Sequence, residues 1–428
     1  MLREVAAVEQ SETGNHGGNM SGIRRGFLSD YFEGVAVKRL SAVEADPGRS
    51  NQHEYNGVGQ LKTLLGAAQP VTFPTRFVWL GEEQEAISED GELTWYDARA
   101  RHPTRSEFRL YYKSTAVSEM AHAGDTLFIA KRTNGSLLLI VTPAASTMQN
   151  QLMWLFGIED QPGLQFEVQQ IGDELGQVDF AARYVLDELG IEFEEPESDL
   201  LDGLLEPFGL TFPTTREFSA LARNSLADVS PRDNPDTALM AWIEREEQLF
   251  RRLERRIVTE RLNGGFVSND EADVDGFIAF SLSVQNRRKA RAGQSLEHHL
   301  ESLFTARGLQ FARGAETENR NKPDFLFPGH REYHDANFPP ARLTMLGAKS
   351  TCKDRWRQVL SEAERIEQKH LLTLEPGISE NQTDEMRAKN LQLVLPLRLH
   401  ATYRENQRSW LMNVEDFVAL VSERQSVS

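Results

Sequence analysis

The first half of the chain is patterned for strands. Val35 and Val37 alternate with polar neighbours, and Thr94–Tyr96 and Phe108–Tyr112 are rich in β-branched and aromatic residues. The clearest segment is DTLFIAKRTNGSLLLIVTP, Asp125–Pro143, where Asn134-Gly135 divides two apolar runs. That pair favours a type I′ turn, because both central residues of such a turn need positive φ. Residues 28–145 therefore read as a small barrel or sandwich. Further on, the period changes. Leu239, Trp242, Ile243, Leu249, Phe250, Leu253 and Ile257 recur at helical spacing, with Asp236 placed to cap the helix and Asn263-Gly264-Gly265 to end it. Leu296, Leu300, Leu303 and Phe304 predict another helix, capped by Ser295 and closed by Gly308. A strand, a long loop, a strand and a helix carrying Trp356, Val359, Ala363 and Ile366 follow. The C-terminal half reads as α/β, a mixed sheet flanked by helices.

Length adds a domain count, since 428 residues hold two or three domains. Residues 1–24 are rich in Gly, Ser, Asn and Glu without an apolar period and read as a disordered tail. The net charge of −18 argues against nucleic-acid binding until its distribution is considered. Residues 151–240 hold 19 acidic and 4 basic residues, whereas residues 281–360 hold 14 basic and 8 acidic. Screening confines each field to roughly 8–10 Å, so the acidic block leaves a basic cleft intact and is able to compete with DNA for it. Within it, EFEEPESD at Glu192–Asp199 reads as a solvated linker. A single cysteine, Cys352, excludes an intramolecular disulfide and a cysteine-rich zinc site. No run of eighteen apolar residues and no signal-peptide core occurs, so no membrane association and a cytoplasmic setting are expected.

The chemistry concentrates after Lys322. Pro323-Asp324 opens a short apolar strand, and Lys349 ends a second, Arg342–Lys349. An acid and a lysine on neighbouring strands suit metal-dependent phosphodiester cleavage. The acid holds a divalent cation against a phosphate, and the lysine orients or deprotonates the attacking water. Alone, a Pro-Asp pair is usually a turn, and Lys349 after the run Thr344–Ala348 is either snorkelling or held in a cleft. The usual nuclease pattern has an acid two residues before the lysine, where this chain has Gly347. Glu362, on the following helix, is placed to replace it. On the residues alone, Glu362 and Glu297 read more readily as solvated helix glutamates. Lys353, Asp354, Arg355 and Arg357 carry groups that read base edges and phosphates, and Arg287, Arg288, Lys289 and Arg291 form a run suited to phosphate contact. His298-His299 and His330/His334 lack a third ligand at metal-site spacing, so zinc is set aside.

The strings SVQNRRKARAGQSLEHHLESLF, KPDFLFP, YHDANFP and AKSTCKDRWRQVLSEAERI are long and chemically specific. On them, the chain from about Phe212 to Phe417 resembles the catalytic domain of the EcoRII family of type II restriction endonucleases, in the PD-(D/E)xK superfamily. The resemblance implies an active site at Glu297, Asp324, Tyr333, Lys349 and Glu362. It implies that the family also lacks the acid before the lysine and takes a glutamate from the next helix. Lys353, Asp354 and Arg355 would then read the outer C·G pairs of the site. YFEGVAVKRLSA and WYDARARHPTRSEFRL are similar to the family's B3-like effector domain, which implies DNA contacts at Lys38, Asn51, Tyr55, Arg99, Arg105, Glu107 and Arg109.

The resulting expectation is a multi-domain α+β chain. Residues 1–24 are a tail, 25–150 a B3-like β pseudobarrel that binds effector DNA, 151–205 an acidic connector, and 206–428 a restriction-endonuclease-like catalytic domain. The expected activity is Mg²⁺-dependent double-strand cleavage of DNA, giving 5′-phosphate ends. Asp324 and Glu362 hold the metal, Lys349 positions the water and Glu297 supports the metal shell. The resemblance implies a short palindrome-like site with CC/GG flanks and an effector domain that restrains the catalytic one. A homodimer is expected, because two strands need two active sites, and a cognate DNA methyltransferase is the functional partner. A non-cleaving DNA-binding regulator and a repair nuclease are the alternatives. The intact acids and lysine weigh against the first, the Lys353-Asp354-Arg355 triplet against the second.

Overall fold

The computed structural model describes residues 27–45, 53–57, 59–67, 70–82, 86–172, 178–191, 198–268, 271–352 and 355–426. The expected tail, Asn51, Lys353, Asp354 and most of the EFEEPESD segment lie outside these residues.

Eight strands form the first sheet: β1 Phe32–Arg39, β2 Glu54–Asn56, β3 Val71–Trp79, β4 Ile87–Asp97, β5 Phe108–Tyr112, β6 Thr126–Arg132, β7 Leu137–Thr142 and β8 Glu167–Gln170. Their order is β2-β5-β4-β3-β7-β6-β1-β8, antiparallel throughout except for the β3–β7 pair. The sheet curls into a β pseudobarrel. Alternation explains why its centre is apolar on every residue. Leu127, Ile129, Leu137, Leu139 and Val141 face one core, while Phe128, Ala130, Leu138 and Ile140 face another. The second core exists because helices α1 (Thr147–Leu155) and α2 (Phe180–Glu188) cover the outer face with Met148, Leu152, Val185 and Leu186.

Helices dominate next: α3 Ser198–Leu205, α4 Thr215–Asn224, α5 Pro235–Asn263 and α6 Val274–Ala306, the last two separated by the hairpin of β9 Val267–Ser268 and β10 Glu271–Ala272. The second sheet runs in chain order through β11 Ala312–Arg313, β12 Phe325–Phe327, β13 Thr344–Lys349, β14 Lys369–Thr373 and β15 Leu391–Val394. The first three strands are antiparallel and the last three parallel, so the sheet is mixed as expected. Leu346, Ala348 and Leu372 pack on α5, α6 and the C-terminal helix Val414–Ser426. Met345 and Leu371 pack on the opposite side with Tyr333, Trp356, Val359, Ala363 and Ile366. Among the described residues no helix is long and apolar enough to cross a membrane.

Several local expectations need correction. Only Gly135 of the β6–β7 turn has positive φ, at 83°, and it follows an Arg132–Gly135 turn closed by Gly135 N–H donating to Arg132 O at 2.9 Å. The turn is therefore an ordinary one followed by a left-handed glycine, so Asn134 avoids positive φ. α5 is capped by Asn234, whose Oδ1 accepts from Thr237 N–H, because Pro235 suits the first helical position. Asp236 instead accepts from the backbone N–H groups of Leu397, Val414 and Glu415 and ties α5 to the C-terminal helix. Ser295 is interior to α6, which starts from an Asp273 cap. The basic run Arg287–Arg291 thus belongs to that helix. The connector expected over 151–205 holds β8, α2 and α3 as well as much of α1. Its acidic surface conceals an apolar face of Ala181, Ala182, Val185 and Leu186.

Candidate active site

Two strands that pair antiparallel bring the acid and the lysine together. β12 begins one residue after Asp324, and Phe325 lies opposite Leu346 of β13. Asp324 Oδ2 accepts from Ala348 N–H at 2.7 Å and from Lys349 Nζ at 2.8 Å. The Lys349 side chain is 21% exposed and ion-paired to Asp324.

Gly347 shows why the acid must come from elsewhere. A Cβ on Gly347 would stand 2.8 Å from Val359 Cγ2, so that position is already filled by the segment packed over the sheet. Helix α7, Trp356–Val359, is only one turn long. Glu362 therefore sits in a bend and not on a helix, although Trp356, Val359, Ala363 and Ile366 are buried together. Burial pushes the Glu362 carboxyl up to about 7, and the Asp324 carboxylate adds to this while Lys349 and Lys369 oppose it. Among the described residues its buried Oε2 has no hydrogen-bond partner. Two carboxylates that repel one another, one with an unsatisfied buried oxygen, suit a divalent cation. Mg²⁺ is commonly held by one or two carboxylates together with water and phosphate oxygens, so the donor set fits.

Glu297 and Tyr333 take other places. Glu297 Oε2 accepts from Arg313 Nη2 at 2.6 Å, and Arg313 also binds Glu301. Among the described residues no group of three His, Cys, Asp or Glu side chains gathers to hold a metal. Tyr333 is fully buried; its hydroxyl donates to Glu318 Oε2 at 2.5 Å and accepts from Arg365 N–H at 3.3 Å. Burial and the Glu318 carboxylate push its phenol well above the usual range. Tyr333 is a buttress of the site wall. Neither Glu318 nor Arg365 carried a sequence signal, because their partners are remote in the chain.

Of the expected DNA contacts, Arg355 is exposed, with its N–H donating to Cys352 O at 2.6 Å. Arg357 binds Glu385 at 2.9 Å. Arg287 lies over the Phe212 ring, and Arg288 donates to Glu254 at 2.7 Å. In the first sheet, Arg99 pairs with Glu107 at 2.6 Å, Arg109 joins Glu107 to Glu54, and Arg105 is exposed. Lys38 and Tyr55 depart from expectation. Lys38 is 3% exposed and bound to Glu44 at 2.5 Å, and Tyr55 stacks on Tyr112 inside the barrel. Strand alternation turns both inward, away from any DNA surface.

A 540 Å³ cavity adjoins the site. Its lining includes Asp187 and Glu188 of α2, Arg288 and Arg291 of α6, and Ser350 and Thr351, directly after Lys349. Asp187 is paired with Arg251, Arg288 with Glu254 and Arg291 with Glu247. The first sheet's helices also touch the catalytic sheet: Gln151 donates to Pro376 O at 2.8 Å, and Thr147 Oγ1 accepts from Ser379 N–H at 3.1 Å.

A mixed sheet with helices on both faces and an acid–lysine pair across adjoining strand ends defines a restriction-endonuclease-like nuclease. The family model "EcoRII C terminal" matches residues 250–418. The type II restriction enzyme EcoRII of Escherichia coli is 34% identical over 422 residues, covering 91% of this chain and 94% of that protein. The chain belongs to the EcoRII family of type II restriction endonucleases and is a DNA-cleaving enzyme. The type II restriction enzyme SsoII of Shigella sonnei is 29% identical over 155 residues, 33% of this chain and 49% of its own. Among solved structures, metal-depleted Ecl18kI with uncleaved DNA has a TM-score of 0.41 at 20% identity, covering 54% of this chain and 86% of that one. The PspGI–substrate DNA complex has a TM-score of 0.41 at 13% identity, covering 50% and 93%.

Proposed function

We propose that this chain is a Mg²⁺-dependent, homodimeric endonuclease that cuts both strands of duplex DNA at a short palindrome-like site with CC/GG flanks. Asp324 and Glu362 would hold the metal, and the Asp324–Lys349 pair, together with a buried Glu362 oxygen that lacks a partner among the described residues, carries the reading. A divalent cation held there supplies charge to the scissile phosphate and a more acidic water. Lys349, held by Asp324 at 2.8 Å, would orient the attacking water toward phosphorus, and the products would carry 5′-phosphate and 3′-hydroxyl ends. Lys353, Asp354, Arg355 and Arg357 follow Lys349 directly in the sequence and would read the bases. A cognate methyltransferase protects the host's own copies of the site. Digestion of a mapped plasmid with and without Mg²⁺, followed by sequencing of the ends, tests this reading. Uniform fragments with 5′-phosphates, absent with D324A or K349A, support it; random nicking or metal-independent cutting overturns it.

The dimer is supported by α6. Val274, Phe277, Ile278 and Leu282 in its first half are 47–60% exposed, an apolar stretch unusual for a monomer's surface. Asp273 and Asp275 begin this half, and Arg287 and Arg288 end it. Two copies laid antiparallel would bury the apolar residues and set each acidic end against a basic one.

Restraint by an N-terminal effector domain, residues 25–150, is supported by the cavity. Asp187 and Glu188 line it together with Arg288 and Arg291, so α2 brings acidic groups to a wall that holds basic ones beside the segment after Lys349. DNA bound to the first sheet would draw these helices away, a shift between closed and open populations.

A further inference from the structure

The bend that carries Glu362 is held by a loop with no assigned role. Helix α7 ends three residues earlier, and Ala363 adopts a left-handed φ of 52°. A non-glycine residue in that region is strained, so the bend persists only because its surroundings enforce it. The restraint comes from residues 317–321, just ahead of Asp324. Thr317 N–H donates to Asn321 O at 2.8 Å and closes a tight loop in which Asn319 and Arg320 have φ of 57° and 62°. From this loop, Glu318 Oε2 accepts Glu364 N–H at 3.2 Å, and Asn321 Nδ2 donates to Ser361 O at 2.8 Å. Asn319 Nδ2 donates to Glu364 Oε1 at 3.2 Å. The bonds to Ser361 and Glu364 bracket Glu362. Glu318 Oε2 also takes the Tyr333 hydroxyl, and Tyr333 accepts Arg365 N–H, so the far side of the bend is fixed through the same oxygen.

We propose that Glu318 is a positioning residue for the metal site: it clamps the bend so that the Glu362 carboxylate is presented to the cation beside Asp324. This rests on Glu362 being a metal ligand, as argued above. Both donors converge on one oxygen, so the role needs an acceptor and not a charge, and glutamine satisfies it. Loss of a group that orients a ligand typically lowers metal affinity about 10–100-fold.

The test uses the full chain and Mn²⁺, with the free ion followed by electron paramagnetic resonance and the fold followed by the thermal midpoint in EDTA. We expect E362A and E318A each to weaken Mn²⁺ binding at least about tenfold, and E318Q to bind like the wild type. E318A with wild-type Mn²⁺ affinity, alongside a weakened E362A, overturns the inference alone. Wild-type affinity in E362A overturns the metal assignment on which it rests. An E318Q as weak as E318A makes Glu318 act through its charge, and the clamp is rejected. Should E318A fail to fold, N321A carries the test, since it opens the other side of the clamp at a partly exposed position. Its Mn²⁺ affinity should fall severalfold, and an unchanged value overturns the inference.

Discussion

At the scale of single residues, the metal-free enzyme has to accommodate Glu362 in a place unfavourable to its charge. A raised pKa means that the folded chain keeps the proton after the unfolded chain has lost it. Stability therefore declines as pH climbs from the ordinary 4.5 toward about 7, and the penalty is complete above that. E362Q removes the penalty. In EDTA its thermal midpoint should exceed that of the wild type at pH 8 and nearly match it at pH 5. An equal difference at both pH values would show that Glu362 is not the group responsible. Asp324 and Lys349 were legible as a pair of strand ends, because strand period and sharp apolar runs are local. Glu362 was legible only by resemblance, since nothing local distinguishes it from a solvated glutamate. Lys38 and Tyr55 misled for a related reason: a buried ion pair and a buried aromatic stack need partners that no short window contains.

Elements raise the question of what Gly347 excludes. G347D would drive a side chain into Val359, with an overpacking cost of about 1–3 kcal/mol. Combined with E362A it should restore neither Mn²⁺ binding nor cleavage, whereas adding V359A should recover part of the binding. Recovery by G347D alone would mean that Val359 yields easily and that the bend is dispensable. Helix α6 supports a second expectation. L282D should raise the dimer dissociation constant at least about tenfold, a change of about 1.4 kcal/mol, as measured by sedimentation. An unchanged constant would place the dimer surface elsewhere. This helix also shows a limit of pattern reading. Its first half is exposed and its second buried, so the change of environment at Ser295 mimicked a boundary. In α2 the acidic residues hid a four-residue apolar face, and only its packing on the first sheet reveals it.

For the whole molecule, helices α1 and α2 matter most, since they complete the first sheet's second core and α2 lines the cavity beside Ser350 and Thr351. A fragment starting near Leu205 removes α2 and with it Asp187 and Glu188. At matched concentration and salt it should cut one-site DNA faster than the full chain. The full chain should favour DNA with two or more sites and respond to added short duplexes. Matching salt is necessary because phosphate binding depends steeply on it. A soluble, dimeric fragment no faster than the full chain would remove restraint from the account.

Cys352 offers a chemical clock for that motion. It is the chain's only cysteine, wholly buried, and its N–H is held by the Glu375 carboxylate one residue before the segment proposed to read bases. Burial pushes the thiol well above its ordinary range, so alkylating reagents meet neither an accessible sulfur nor a thiolate. Each alkylation event then records one opening of this corner of the protein. Under native conditions the labelling rate should be slow, and it should rise when effector duplex is added. A rate indifferent to effector duplex would mean that the corner stays shut during activation, and that release happens on the α2 side of the cavity alone.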